Sequence, residues 1–289
     1  MNKSLHDYRM HALYGMVGIT KQGHYKRIRR ERELSSIADV ILSKAAVIRK
    51  DHPRMGCRKL YDEIGNRGLG RDRTERLLLD NGFRVPKKRN YHRTTYSGNR
   101  WYDNLITGSS VAGANRLFVS DITYIPLWNN RFYYLTFVLD VYSRKIKGWS
   151  LSDTMRTEAT VYRAFSMSIE GLRPSDLKRL IFHSDHGSQY GSDLMKEQFE
   201  ATGVKPSMGG KAWENAHAES LNGIMKNEYI NLENTNIRLK EAVRQIGRWV
   251  YLYNNERPHG SIQKMKPVEY ETYLEGLALR DRPKYLINY

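Results

Sequence analysis

The chain has 289 residues, with 48 Lys and Arg against 31 Asp and Glu and a pI near 9.8. That length can bury a full core in one large domain with a smaller one beside it. A formal charge of +17 sets aside an ordinary metabolic enzyme as the default and directs attention to a polyanionic partner, nucleic acid first.

The charge is unevenly spread. Residues 1–100 hold 24 Lys and Arg against 10 Asp and Glu, net +14, and the remaining 189 hold 24 against 21, net +3. A basic amino-terminal module ahead of a nearly neutral globular part points to separate binding and working parts. Cys57 is the single cysteine, so neither an internal disulfide nor a thiolate zinc cage can form. The longest apolar run, Phe132 to Leu139, is too short to span a bilayer, and His6, Asp7, Arg9 and His11 stand where a signal sequence needs apolar residues. A soluble, intracellular protein of a reducing cytoplasm is expected.

Residues 1–34 read as a basic helical segment ending in Lys26, Arg27, Arg29, Arg30 and Arg32. Ser35 and Ser36 look like caps of a helix carrying Ile37, Val40, Ile41, Ala45 and Ile48 up to His52-Pro53. Short amphipathic segments at about 58–65 and 72–81, split by Gly68 and Gly70, complete a helix-turn-helix-like all-α domain over 35–85. Its last helix carries Arg71, Arg73 and Arg76 toward DNA, although a purely structural bundle has the same pattern. Residues 86–115 form a basic linker in which Lys87, Lys88 and Arg89, with His92, Arg93 and Arg100, can track phosphates.

From Leu117 the pattern becomes α/β. Leu117–Leu127 and Phe132–Leu139 flank the turn residues Trp128-Asn129-Asn130 as a hairpin, and a third strand follows at 145–151. A helix at 157–171, a strand at 180–184, a helix at 193–201, a strand at 204–208 and a helix at 216–228 make a sheet of mixed direction flanked by helices. The catalytic core is expected over 116–275, with a tail at 276–289.

Asp121 falls mid-strand, where a lone ionised carboxylate is costly to bury and a metal ion removes the cost. Asp185 ends the 180–184 strand and is followed by a His186-Gly187-Ser188 turn, which leaves it at the carboxyl edge of the sheet. Glu219 lies on the following helix, with Lys226 nearly two turns later and able to reach a phosphate. Three oxygen ligands from scattered elements suit Mg²⁺ or Mn²⁺. Two such ions about 3.5–4 Å apart would drive an in-line displacement. Asp140 is a decoy that braces the turn at Ser143, His183 and His186 alternate sides of a strand end, and Trp249, Tyr251 and Tyr253 pack on the core.

Five ordered phrases resemble the retroviral-integrase-like transposases of bacterial insertion sequences: Asp121-Ile122-Thr123-Tyr124, Val138 to Trp149, His183 to Tyr190, Asn215 to Ser220, and Tyr253 to His259. The resemblance implies a ribonuclease-H-like fold and an Asp-Asp-Glu triad of Asp121, Asp185 and Glu219. It implies that Lys226 contacts DNA, and that water and then a freed 3′-hydroxyl attack phosphodiesters at the element's ends and in target DNA. Residues 8–90 are similar to the helical segment of the second-frame product of such elements, which implies an upstream-frame partner segment. Arg257 is expected to be structural or to position DNA. The resemblance implies double-stranded DNA as the partner and a bacterial cytoplasmic location, nucleoid-associated when on DNA, and joining two ends implies at least a homodimer. A structure-specific nuclease and a catalytically silent DNA-binding regulator are the other readings of the same fold.

Overall fold

The computed structural model describes residues 10–86, 101–210, 212–232 and 235–288. Lys87, Lys88, Arg89, His92, Arg93 and Arg100 lie outside the described residues. The chain separates into two compact units, residues 1–51 with 55–86, and residues 52–54 with 87–289.

The first unit contains α1 (Met10–Val17), α2 (Lys21–Asp51), α3 (Cys57–Ile64) and α4 (Arg71–Asp80). Ser35 and Ser36 do not start a helix; α2 runs through them. No glycine or proline interrupts residues 24–52. The pairs Arg27–Glu31 at 2.9 Å and Arg29–Glu33 at 3.0 Å add i,i+4 support to the charged first half. Propensity thus overrides the capping signal. The second half buries Ile41 and Ala45 against Met55, Leu60, Ile64 and Leu78. Gly65, with φ +72°, ends α3, and the connection to α4 takes the six residues Gly65 to Gly70. That is longer than the turn of about three or four residues that a helix-turn-helix uses. Within it Gly68, at φ +88°, donates its N–H to Asn66 Oδ1 at 3.0 Å.

In the second unit β1 (Ser110–Val111) precedes the hairpin of β2 (Leu117–Pro126) and β3 (Phe132–Asp140), whose turn holds Asn129 at φ +60°. There follow β4 (Ile146–Ser152), α5 (Val161–Ile169), α6 (Pro174–Leu177), β5 (Ile181–Ser184), α7 (Asp193–Thr202) and β6 (Lys205–Met208). Next come α8 (Ala216–Ile224), which runs into a π-helical turn over Met225–Tyr229, then α9 (Leu239–Asn255), α10 (Pro267–Glu275) and β7 (Tyr285–Leu286). The five-stranded sheet has the order β4-β3-β2-β5-β6, with β2, β3 and β4 antiparallel and β2, β5 and β6 parallel. This is the ribonuclease-H-like α/β sheet.

Alternation along β2 divides the core between the two faces of the sheet. Phe118 and Ile122 join Phe165 of α5, Phe182 of β5 and Phe199 of α7. Val119 and Ile125 join Leu221 of α8, Ile246 of α9 and Tyr270 of α10. Residues 110–111 of the expected linker and 285–286 of the expected tail pair as an antiparallel β1/β7 ribbon. Ile106, Val111 and Ile287 are buried with the second cluster. Among the described residues no helix is long and apolar enough to cross a membrane.

Candidate active site

The parallel pairing of β2 with β5 matches Ser120 to Ser184. One residue further on, Asp121 within β2 and Asp185 just past the end of β5 therefore stand side by side. Both are half-buried. Burial raises the Asp121 carboxyl well above the usual carboxylate range, and the charges of Asp185 and Glu219 push it further. Burial also raises Asp185, against the opposing pull of the Gly187 N–H and His186. The Gly187 N–H donates to Asp185 Oδ1 at 3.1 Å and holds the carboxyl in the turn. Two half-buried carboxylates, both raised by burial and one raised further by the other's charge, are the arrangement a divalent cation relieves.

Glu219 projects from the first turn of α8 and is exposed. Its negative charge is felt at Asp121. Among the described residues no group of three His, Cys, Asp or Glu is drawn close enough to hold a metal ion as it stands. The aspartate pair is therefore formed, and the glutamate stands beside it on a separate helix.

A residue with no signal in the sequence reading completes the pair's surroundings. Asn222, one turn after Glu219, donates from Nδ2 to Asp121 Oδ2 at 2.7 Å, while its Oδ1 is buried with no hydrogen-bond partner. Only its i+3 spacing from Glu219 could have marked it. Asn215 anchors the start of α8 by donating to the Ser120 carbonyl at 2.9 Å, beside Asp121. Ser120 Oγ and the buried Tyr190 hydroxyl lie 2.9 Å apart. Thus α8 is tied to β2 at residues on both sides of Glu219.

An integrase core domain model matches residues 112–212, and a second of the same description matches residues 202–267. A Mycobacterium tuberculosis protein assigned as transposase for insertion sequence element IS986/IS6110 is 31% identical over 278 residues, 92% of this chain and 98% of its own. The chain belongs to the bacterial insertion-sequence transposases. The transposase for element IS904 of Lactococcus lactis is 34% identical over 191 residues, 65% of this chain and 73% of its own. The HTLV-2 integrase catalytic core domain superposes with a TM-score of 0.42 at 19% identity, over 58% of this chain and 99% of that one.

In this transposase the remaining expected contacts fall in different places. Lys226 is half-buried at the start of the π-helical turn after α8. Arg71, Arg73 and Arg76 are exposed on α4 of the first unit, where Arg71 pairs with Asp72 at 2.9 Å. Of the two roles expected of Arg257, its surroundings fit the structural one. It is 3% exposed and holds Glu228 through two bonds of 2.7 Å, and its Nη1 reaches the Pro258 carbonyl at 3.4 Å. A guanidinium so enclosed cannot meet a phosphate.

Asp140 does not brace Ser143. Its oxygens accept the N–H groups of Tyr142 and Asn115, each at 2.9 Å, and Ser143 Oγ donates instead to Glu271 at 3.0 Å. Burial pushes Asp140 up to about 6 despite those two donors. His183 is buried and structural. A carbonyl only accepts, so Nε2 donates to the Glu214 carbonyl at 3.0 Å and Nδ1 accepts from Ser207 Oγ at 2.9 Å. Burial lowers His183 to about 4 and keeps it neutral. Trp249 and Tyr253 pack on the core as expected, but Tyr251 is 58% exposed. It lies two residues from each, on the far side of α9.

Proposed function

We infer that the chain is an Asp-Asp-Glu DNA transposase that cuts the ends of its element and joins them to target DNA. The observation that carries this reading is the aspartate pair at the centre of the sheet with Glu219 on the helix beside it, in a chain of the transposase family. The donor set fits hard divalent cations, because it offers carboxylate oxygens and an amide and no thiolate. Asp121, Asp185 and Glu219 would hold Mg²⁺ or Mn²⁺, two ions in the catalytic state, and closing this set requires Glu219 to approach the aspartates once DNA and metal are bound. When bound, the ions polarise the phosphodiester and lower the cost of the attacking and leaving oxygens.

The protein's own groups do the rest. Asn222 fixes the rotamer of Asp121, and Gly187 fixes that of Asp185. Lys226 neutralises a phosphate next to the scissile one, and Arg71, Arg73, Arg76, Lys87, Lys88 and Arg89 hold the duplex by its backbone. Water attacks phosphorus in line and frees a 3′-hydroxyl, which attacks a target phosphodiester in turn. One P–O bond forms and one breaks in each step, so no energy source beyond the phosphodiester is needed. Joining two ends requires at least two copies on the DNA.

The test is cleavage and joining of labelled DNA that carries the element's own ends, for the wild-type chain and Glu219→Gln, in Mg²⁺ and in EDTA. Joined products that vanish in both controls are expected. Cleavage without joining would replace the reading by a nuclease, and binding without either reaction by a regulator.

A further inference from the structure

A second polar site opens beside α8, away from the aspartates. The turn after β3 places Arg144 at φ +62°, and its Nη1 donates to His217 Nδ1 at 2.6 Å. A guanidinium cannot accept, so Nδ1 is the acceptor and the neutral ring carries its proton on Nε2. The two side chains line a pocket of about 200 Å³ with Ser220 of α8, Tyr253 of α9, and His259 and Ser261 beyond it. Tyr253 and His259 are buried, whereas Ser220 and Ser261 are exposed at the rim.

The chemistry of this lining is one-sided. It offers a guanidinium, an imidazole N–H and hydroxyls, and no carboxylate. The nearby acid Glu228 is held by Arg257 through two bonds of 2.7 Å. Three of the phrases singled out in the sequence converge here: Arg144 from the second, His217 and Ser220 from the fourth, and Tyr253 and His259 from the fifth. The carboxylate chemistry uses none of these five residues.

We propose that this pocket is a phosphate subsite, in which Arg144, His217 and the two rim serines hold a backbone phosphate of the DNA bound at the carboxylates. The proposal rests on the transposase reading above. One cation with neutral donors matches a singly charged phosphodiester. DNA is favoured over free phosphate as its source because His217 and Ser220 bracket Glu219 on one short helix, each residue turning about 100° around it. A strand passing the exposed Glu219 thus runs along the rim that Ser220 forms.

The experiment measures binding of a fluorescent element-end duplex to the full chain as NaCl is raised, for wild type, Arg144→Gln and Ser261→Asp. Loss of one phosphate contact makes the log–log salt slope shallower by about 0.9, and this is expected of Arg144→Gln. A carboxylate at the rim is expected to weaken binding about fivefold at low salt, and Ser261→Asp tests this at an exposed position that leaves the fold intact.

Melting curves identify any variant that fails to fold, and Ser261→Asp decides if Arg144→Gln does. Folded variants with wild-type affinity and slope would overturn the subsite. Calorimetric binding of inorganic phosphate, with DNA affinity unmoved in both variants, would assign the pocket to a free anion and overturn it as well. A wild-type chain that binds no DNA would sink the transposase reading and the subsite together, whereas wild-type binding with unaffected variants sinks the subsite alone.

Discussion

Asn222 donates a 2.7 Å hydrogen bond from α8 to the Asp121 carboxylate on β2. The helix that carries Glu219 is thereby fastened to the strand that carries Asp121. Removal of the amide in Asn222→Ala frees both Asp121 and the helix at that point. Loss of such an outer-shell partner costs about 10–100-fold in metal affinity or activity. We expect strand cleavage to fall within that range and the half-saturating Mg²⁺ concentration to rise, with little change in Tm. A metal titration of cleavage rate checks this, and an unchanged half-saturation point would reduce Asn222 to a packing residue.

The aspartate pair is costly to the protein without metal. Burial and the neighbouring Asp185 charge both raise Asp121, so its ionised form destabilises the fold at neutral pH. Asp121→Asn keeps an oxygen for Asn222 and removes that charge. In EDTA at pH 8 the variant should melt about 2–5 °C above wild type while losing all cleavage. Mg²⁺ should then raise the wild-type Tm and leave the variant's unmoved. A variant that melts lower than wild type in EDTA would contradict this account.

Gly148 lies on β4 opposite Val138, directly under α5. A Cβ there would meet the Ala164 carbonyl oxygen and come within 2.8 Å of the Ser168 N. Both are backbone atoms and cannot swing aside. Gly148→Ala should therefore cost about 3 kcal/mol, or roughly 10 °C in Tm. Thermal melting of the purified variant measures it, and a shift of only one or two degrees would mean that α5 can move off the sheet.

Asp140 supplies the pH test. Its folded carboxyl titrates at about 6 against an ordinary 3.8. A carboxyl raised on folding stabilises below the unfolded value, and that stability is lost as pH rises through the folded one. The loss is roughly 3 kcal/mol between pH 4 and pH 6. Asp140→Asn has no such titration, but it sets an amide N–H against one of the two backbone donors and is expected to be less stable at pH 4. Its deficit relative to wild type should shrink as pH rises to 6 and stay level above. Urea unfolding at four pH values reads this directly; a deficit that grows with pH would show that the ionised carboxylate is the stabilised form.

The catalytic sheet was legible because its strands are runs of β-branched and aromatic residues separated by turn chemistry, as in Leu117–Pro126 and Phe132–Asp140. The nearness of Asp121 to Asp185 was legible too, since two carboxylates at one level of adjacent strands need only the right pairing. What escaped notice depends on partners distant in sequence. Arg257 looks like any basic residue until Glu228, 29 positions earlier, folds against it. Asp140 is indistinguishable from a turn cap until Asn115 donates to it from 25 positions away. Ser35 and Ser36 are good caps in isolation, and only the uninterrupted helix-forming run on both sides of them carries α2 through. Asn222 had no local signal because its partner lies 101 residues back.

Because β7 pairs with β1, residues made late hold down a segment made long before them. Ile287 donates its N–H to the Ser109 carbonyl at 2.9 Å, and the Tyr142 hydroxyl donates to the Pro283 carbonyl at 2.9 Å. Chains emerge from the ribosome amino-terminus first, at about 5–20 residues per second. Ile106 and Val111 therefore wait for seconds before residues 283–287 arrive to cover them. A chain lacking residues 283–287 would keep Asp121, Asp185 and Glu219 and lose that cover, so it is expected to fail in folding with every one of those carboxylates still in place.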